Sequence, residues 1–281
     1  MMSIKKHALT LFTKSPQPGY TKTRLTQKFG GPLTEHEAAY LYQAMMLDVA
    51  TVAFQAMKMC RETATNGIER YDFVISCTPE SEKPRLQAIF QAEFPNADDI
   101  YYVIDRGQNF DEHFNDHYRQ LFDQGYHSVV CIGGDLPTIS QEYISRAFQW
   151  LAYLDAQSDK GAMVIAPCQA AGVSLVGLTA AAPMDFTGVF YNMQGVAALE
   201  AITRIASARQ IPMALLEPLS DIDNPEDLAH AIAIINAMAY ASYFQDYISI
   251  PKRTMSWVQK IGLVVSTPPN VEHDPRTNID G

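Results

Sequence analysis

Three short stretches of this chain hold residues whose types and spacing could do chemistry. In LFTKSPQPGYTKTRL, residues 11–25, an apolar run breaks into a loop with Pro16, Pro18 and Gly19, followed by Lys22 and Arg24. A glycine there would let backbone amides approach an anion, and Lys14, Lys22 and Arg24 would supply charge. In extended backbone Lys22 and Arg24 share a side; on a helix they do not. The loop matches neither G-x-x-x-x-G-K-[ST] nor G-x-G-x-x-G. The competing reading is a surface turn with solvated lysines.

The second stretch is IGGDLPTIS, 132–140, where an apolar strand ends in Gly133, Gly134 and Asp135. Two glycines remove side chains where something approaches the backbone closely. One carboxylate at a strand end suits Mg²⁺, which is commonly held by one or two carboxylates plus ligand phosphates. A plain turn acid before Leu136-Pro137 is the alternative. The third stretch is SDIDNPEDL, 220–228. Asp221 and Asp223 alternate, so in extended chain both carboxylates face one way; loop or capping acids are the alternative. Asp227 reads as a first-turn helix acid.

Two further patterns read as structural. His113 and His117 stand four apart in EHFNDH, which is not a metal-binding HExxH, and are expected on a solvated helix face. Asp48 interrupts an apolar helix and is expected at the edge of its stripe, with a buried, paired acid as the alternative.

These loops need elements to position them. HALTLFT (7–13), YDFVISC (71–77), IYYVID (100–105), SVVCIGG (128–134), GAMVIAP (161–167), VSLVGL (173–178) and IPMALLE (211–217) read as strands. Several are apolar on both faces, as strands covered on both sides are. The clearest helix spans 35–58, opened by the T-x-x-E capping spacing of Thr34 and Glu37. Ala38, Leu41, Met45, Val49 and Val52 give it a stripe of helical period. Further helices fit 82–92, 111–124, 141–155 and 193–208, and Asn224-Pro225-Glu226-Asp227 opens one running to about 245. Alternating β and α elements predict an α/β fold, a mostly parallel sheet with helices on both faces. One domain is expected over 1–245, an appended segment over 246–265 and a disordered polar tail over 266–281.

The 281 residues carry a net charge of −10, which disfavours nucleic acid as a partner. Residues 1–34 nevertheless hold six lysines and arginines and no acid. Such a local positive island can attract a small anion. The four cysteines form no C-x-x-C pair and read as buried reduced thiols of a cytoplasmic protein. The N-terminal apolar run is too short for a signal peptide, and no stretch is long enough for a transmembrane segment.

FTKSPQPGYTKTRL, GGDLP and DIDNPEDL, in that order, resemble the nucleotide-diphospho-sugar transferase-like family of GT-A (Rossmann-like) fold. It is a former domain-of-unknown-function family of bacterial glycosyltransferases related to phospholactate and molybdenum cofactor guanylyltransferases. The resemblance covers about residues 7–240. It implies that Lys14, Gly19, Lys22 and Arg24 hold nucleotide phosphates. It implies Asp135 as a ligand of Mg²⁺ or Mn²⁺, with Asp223 or Asp221 as the second. The implied partners are a nucleotide-sugar or an NTP and a small-molecule acceptor.

The chain departs from the family twice. The usual D-G-G-Y after APC is absent: its acid is Ala170 and its aromatic Val173. The usual L-G-E-R is Phe110-Asp111-Glu112-His113. The lost acid implies an altered acceptor or lost catalysis. The leading expectation is a metal-dependent glycosyltransferase. The rivals are a nucleotidyltransferase releasing pyrophosphate and a nucleotide-binding protein without catalysis. No residue stands out as the catalytic base; Asp185 and Glu200 lie downstream of the altered motif without distinction.

Overall fold

The computed structural model describes residues 4–64, 69–97, 100–192 and 194–265. The sheet is built from β1 (Lys5–Thr13), β2 (Glu69–Cys77), β3 (Ile100–Ile104), β4 (Tyr126–Gly133), β5 (Met163–Pro167), β6 (Val173–Thr179) and β7 (Met213–Leu215). Its order is β3-β2-β1-β4-β6-β5-β7. Every pairing is parallel except those of β6, which runs antiparallel to β4 and β5. The reversal has a local cause. β5 and β6 are joined by only Cys168–Gly172, too short for the crossover a parallel pair requires.

The helices are α1 (Glu35–Thr63), α2 (Lys83–Glu93), α3 (Phe110–Asp123), α4 (Gln141–Asp155), α5 (Ala198–Ala208), α6 (Pro225–Ala241) and α7 (Lys252–Ile261). One face of the sheet packs on α1, α2 and α4 around Leu9, Leu11, Phe73 and Ile132. The other packs on α3 and α5 around Ala8, Val129, Phe114 and Phe186. A third cluster joins the start of α1 to α6 and α7 through Leu41, Met45, Ile232 and Val258.

Both expected capping motifs form: Thr34 with Glu37 opens α1, and Asn224 with Asp227 opens α6. Two strands are shorter than their apolar runs. Gly161, at φ 73°, still belongs to the turn before β5. Among the described residues β7 pairs with β5 alone, through three residues. Helix α5 begins at Ala198 rather than 193, and residue 193 lies outside the described residues. The tail at 266–281 also lies outside them. Cys60, Cys77 and Cys131 are buried, Cys168 is half-buried, and all four are free thiols. No described helix is long and apolar enough to cross a membrane.

Asp48 corrects an expectation: it is buried rather than at the edge of its stripe. Its carboxylate accepts hydrogen bonds from the Thr254 N–H and hydroxyl at 2.8 and 2.9 Å, and from Arg253 Nη1 at 3.0 Å. The reason lies in α7, whose N-cap Pro251 has no side-chain hydrogen bond to offer. A carboxylate from α1 therefore satisfies amides at that helix start. His113 and His117 correct another. His117 is fully buried against Phe12, Phe114 and Tyr118, and burial pushes its pKa down to about 3. The helix packs on the sheet through this histidine rather than presenting it to water.

Candidate active site

Strand order reverses direction between β1 and β4, and in open α/β sheets ligands bind outside the carboxyl ends of the strands at such a point. Phe12 pairs with Gly133 there, so the loops after β1 and β4 emerge side by side. Because β6 is antiparallel, the Cys168–Gly172 turn opens at the same edge. The segment after β7 joins them: the Ile222 N–H donates to the Asp135 carbonyl at 3.2 Å. These loops line a cleft of about 1140 Å³.

At its centre the structure brings together residues 113 and 201 positions apart. Lys22 Nζ lies 2.6 Å from Asp135 Oδ2 and 2.7 Å from Asp223 Oδ1. Arg24 Nη1 stands 3.5 Å from Asp223 Oδ2, with most of its side chain exposed. Lys22 and Arg24 do not reach the cleft along extended backbone. Lys22 sits at φ 50°, ψ 40°, ahead of a 3-10 turn over Thr23–Leu25. The left-handed conformation costs a non-glycine residue about 1–2 kcal/mol, which its two ion pairs help to offset. Lys14 lines the cleft without an ion pair among the described residues, its ammonium 5.2 Å from the Tyr20 ring centroid.

Gly19 serves the turn. Its φ is 73°, and a Cβ there would come within 3.2 Å of the Glu35 carboxylate. Gly133 has the sharper role, because a Cβ there would lie 2.4 Å from Asp135 Oδ1. Its missing side chain is what lets that carboxylate fold back toward Lys22. Tyr42, from α1, braces the strand ends, its hydroxyl 2.7 Å from Thr13 Oγ1.

Protonation follows from this crowding. Burial disfavours the Lys22 ammonium, but the charges and hydrogen bonds of Asp135 and Asp223 outweigh it, holding its pKa above the ordinary lysine value. Asp223 is drawn below the usual carboxylate range despite its burial, by Lys22 first and then Arg24 and Lys14. Asp221 is pushed up to about 6 by burial and by its like-charged neighbours Asp135 and Asp223. It contacts Cys168 Sγ at 3.6 Å.

The expected metal ligands fit a hard divalent cation in part. Asp135 and Asp223 already converge on one cationic atom, and oxygen donors are what Mg²⁺ and Mn²⁺ prefer. Among the described residues no group of three or more His, Cys, Asp or Glu side chains forms a cage. A cation here would need ligand oxygens as well, which is the common arrangement for Mg²⁺. Asp227 is a capping residue, bonded to the N–H groups of Asp223 and Asn224. Gln169, beside the altered motif, bonds Asp221 and Asp227 and ties its turn to this loop. Ala170 and Ala171 are at φ 53° and 55°.

Sequence reasoning missed the opposite wall of the cleft. His113 Nδ1 lies 3.2 Å from the Asp105 carbonyl and 2.8 Å from its Oδ1. The N–H bond is directed at the carbonyl and leaves Oδ1 without a directed hydrogen bond among the described residues. Asp105 is buried and its other oxygen accepts from Ser76 Oγ at 2.9 Å. Burial raises the Asp105 pKa, against the pull of Ser76 and His113. The departure from L-G-E-R was the available signal. Asp185 bonds Thr187 and Asn115, and Glu200 bonds Arg204, both at exposed positions.

Residues 63–193 match the family described as "Uncharacterized protein conserved in bacteria (DUF2064)". The match covers a little under half of the chain and agrees with the resemblance read from the sequence. The matched span includes Asp135 and the altered turn; Lys22 and Asp223 lie outside it. The fold matches the crystal structure of a "putative nucleotide-diphospho-sugar transferase" from Desulfovibrio desulfuricans G20. The TM-score is 0.65 at 19% identity, over 92% of this chain and 98% of that one. A cytidylyltransferase from Leptospira borgpetersenii aligns with a TM-score of 0.47 at 12% identity, over 96% and 100% of the two chains. A nucleotidyl transferase from Methanothermobacter aligns with a TM-score of 0.49 at 10% identity, over 81% and 95%. No curated protein matches the chain. The chain thus shares the fold of the Desulfovibrio desulfuricans structure, α/β with one mostly parallel sheet.

Proposed function

We propose that the protein is a transferase acting on a nucleotide-activated substrate, most simply a glycosyltransferase using a nucleotide-sugar. The observation that carries this reading is the convergence of Lys22, Asp135 and Asp223 at the mouth of β1 and β4. A cation loop and a carboxylate pair at a strand-order switch suit an anionic ligand and its counter-ion. Lys14, Lys22 and Arg24 bind the nucleotide's phosphates. Asp135 and Asp223, with Asp221 beside them, would hold Mg²⁺ or Mn²⁺. When bound, that ion would neutralise charge on the departing diphosphate. Lys22 exchanges its carboxylate partners for phosphate oxygens, and its high pKa keeps it charged throughout. Such chemistry depends mainly on positioning and electrostatics.

A nucleotidyltransferase is the second reading. Three cations on one loop, Lys14, Lys22 and Arg24, also suit an NTP's triphosphate, with pyrophosphate leaving.

Isothermal titration with nucleoside diphosphates and triphosphates, each with Mn²⁺ and with EDTA, tests both. Metal-dependent binding of one diphosphate, lost in Asp135→Ala, supports the first reading. Preference for a triphosphate moves the assignment to the second. Failure to bind any nucleotide overturns both.

A further inference from the structure

The cleft is larger than one nucleotide-phosphate site requires. Pockets for drug-sized ligands run about 300–1000 Å³, and this one is about 1140 Å³. Its two walls differ in chemistry. One carries the Lys22 cluster. The other is aromatic: Phe110 packs edge-on to Phe12 at 5.5 Å and to Phe190 at 5.0 Å, with Tyr191 at 5.9 Å. Tyr191 is 69% exposed. Val173 and Ala170, where the family has an aromatic and an acid, leave the neighbouring turn without a charged side chain.

Three of the four positions that replace L-G-E-R build this wall. Phe110 forms its surface. The Asp111 carboxylate accepts from the Gly188 and Phe190 N–H groups at 2.7 and 3.1 Å and so fixes the loop that carries Phe190. His113 supplies its polar group. Asp105 faces Nδ1, which sets that nitrogen as the protonated one and leaves Nε2 as an acceptor. Among the described residues Nε2 has no hydrogen-bond partner, and the ring lines the cleft.

We propose that this wall is the acceptor subsite and that it takes a hydroxyl borne on an aromatic or apolar body, the hydroxyl donating to His113 Nε2. Aromatic rings bind such a body by stacking and burial. Among the described residues this wall carries no lysine or arginine to pair with a phosphate, and its one lining carboxylate, Asp105, is buried behind His113. The transfer step rests on the reading proposed above. The acceptor oxygen forms its bond to the sugar's anomeric carbon while its proton passes to Nε2. The anomeric carbon–oxygen bond breaks, and its electron pair leaves with the nucleoside diphosphate.

The probes are naphthol and its methyl ether, titrated by fluorescence into the whole protein. Wild type is expected to bind naphthol about fivefold more tightly than the ether, the value of one hydrogen bond near 1 kcal/mol. His113→Phe should bind the two alike. Tyr191→Ala, an exposed change that leaves folding undisturbed, should weaken both. Saturating nucleoside diphosphate with Mn²⁺ should not displace naphthol. Equal affinities in wild type, discrimination that survives in His113→Phe, displacement by nucleotide, or no binding of naphthol would each overturn the subsite. Naphthol binding as expected in a protein that binds no nucleotide overturns the transferase reading and leaves the subsite standing.

Discussion

Lys22 does two jobs that conflict unless a ligand is present. It is an expected phosphate cation, yet its ammonium is spent on Asp135 and Asp223. Removing it in Lys22→Ala deletes the proposed phosphate contact and leaves three carboxylates, Asp135, Asp221 and Asp223, without their shared ammonium. A hydrogen bond to a charged group is worth about 1.5–3 kcal/mol, so nucleotide affinity should fall roughly tenfold or more, measured by titration calorimetry. Gly133→Ala should imitate Asp135→Ala, because the new Cβ would strike the Asp135 carboxylate at 2.4 Å. Metal-dependent nucleotide binding should disappear while circular dichroism stays unchanged. Normal binding in Gly133→Ala would show that Asp135 does not act from this position. Asp221 gives a pH dependence. Its pKa rises on folding from 3.8 to about 6, so between those values the folded state holds more protons than the unfolded. Its contribution to stability is therefore present below about pH 4 and lost as pH rises through 6. Asp221→Asn should stabilise the protein more at pH 7 than at pH 4, read from denaturant midpoints at the two values. An equal effect at both would remove the like-charge explanation.

At the scale of elements, the clasp between α1 and α7 is the clearest case. Asp48 sits inside α1 yet satisfies amides at the start of α7. Asp48→Ala strands the Thr254 amide and Arg253, and breaking a buried charged network costs about 3–5 kcal/mol. Chemical denaturation should show a loss of that order, with a smaller loss for Asp48→Asn. The 168–172 turn is a second case. Two consecutive alanines at positive φ are strained, and Ala171→Gly should add about 1 kcal/mol of stability. How these elements were legible differs. Thr34-x-x-Glu37 and Asn224-Pro-Glu-Asp227 announced their helix starts because capping is local. A lone Asp48 in an apolar stripe did not announce its role, because its partner lies 205 residues away.

For the whole molecule, a ligand that binds only the folded state stabilises it by mass action. At one hundred times its Kd the gain is about 2.7 kcal/mol, and for a chain of this size that raises Tm by about 5 °C. Differential scanning fluorimetry with the matching nucleoside diphosphate and Mn²⁺ should show such a shift in wild type and little in Asp135→Ala. By itself the sequence determined the β/α alternation, the caps, and three loops rich in cations, glycines and acids. Each is written in neighbouring residues, through propensity and period. Only the tertiary structure decided what those loops face. Strand order put the loop after β1 beside the loop after β4, and antiparallel β6 carried the altered turn to the same edge. The pairing of Lys22 with Asp135 and Asp223, and the His113–Asp105 pair on the opposite wall, followed from that. Side chains distant in sequence meet only where the sheet's register brings their strand ends together, and no local pattern records which strands those will be.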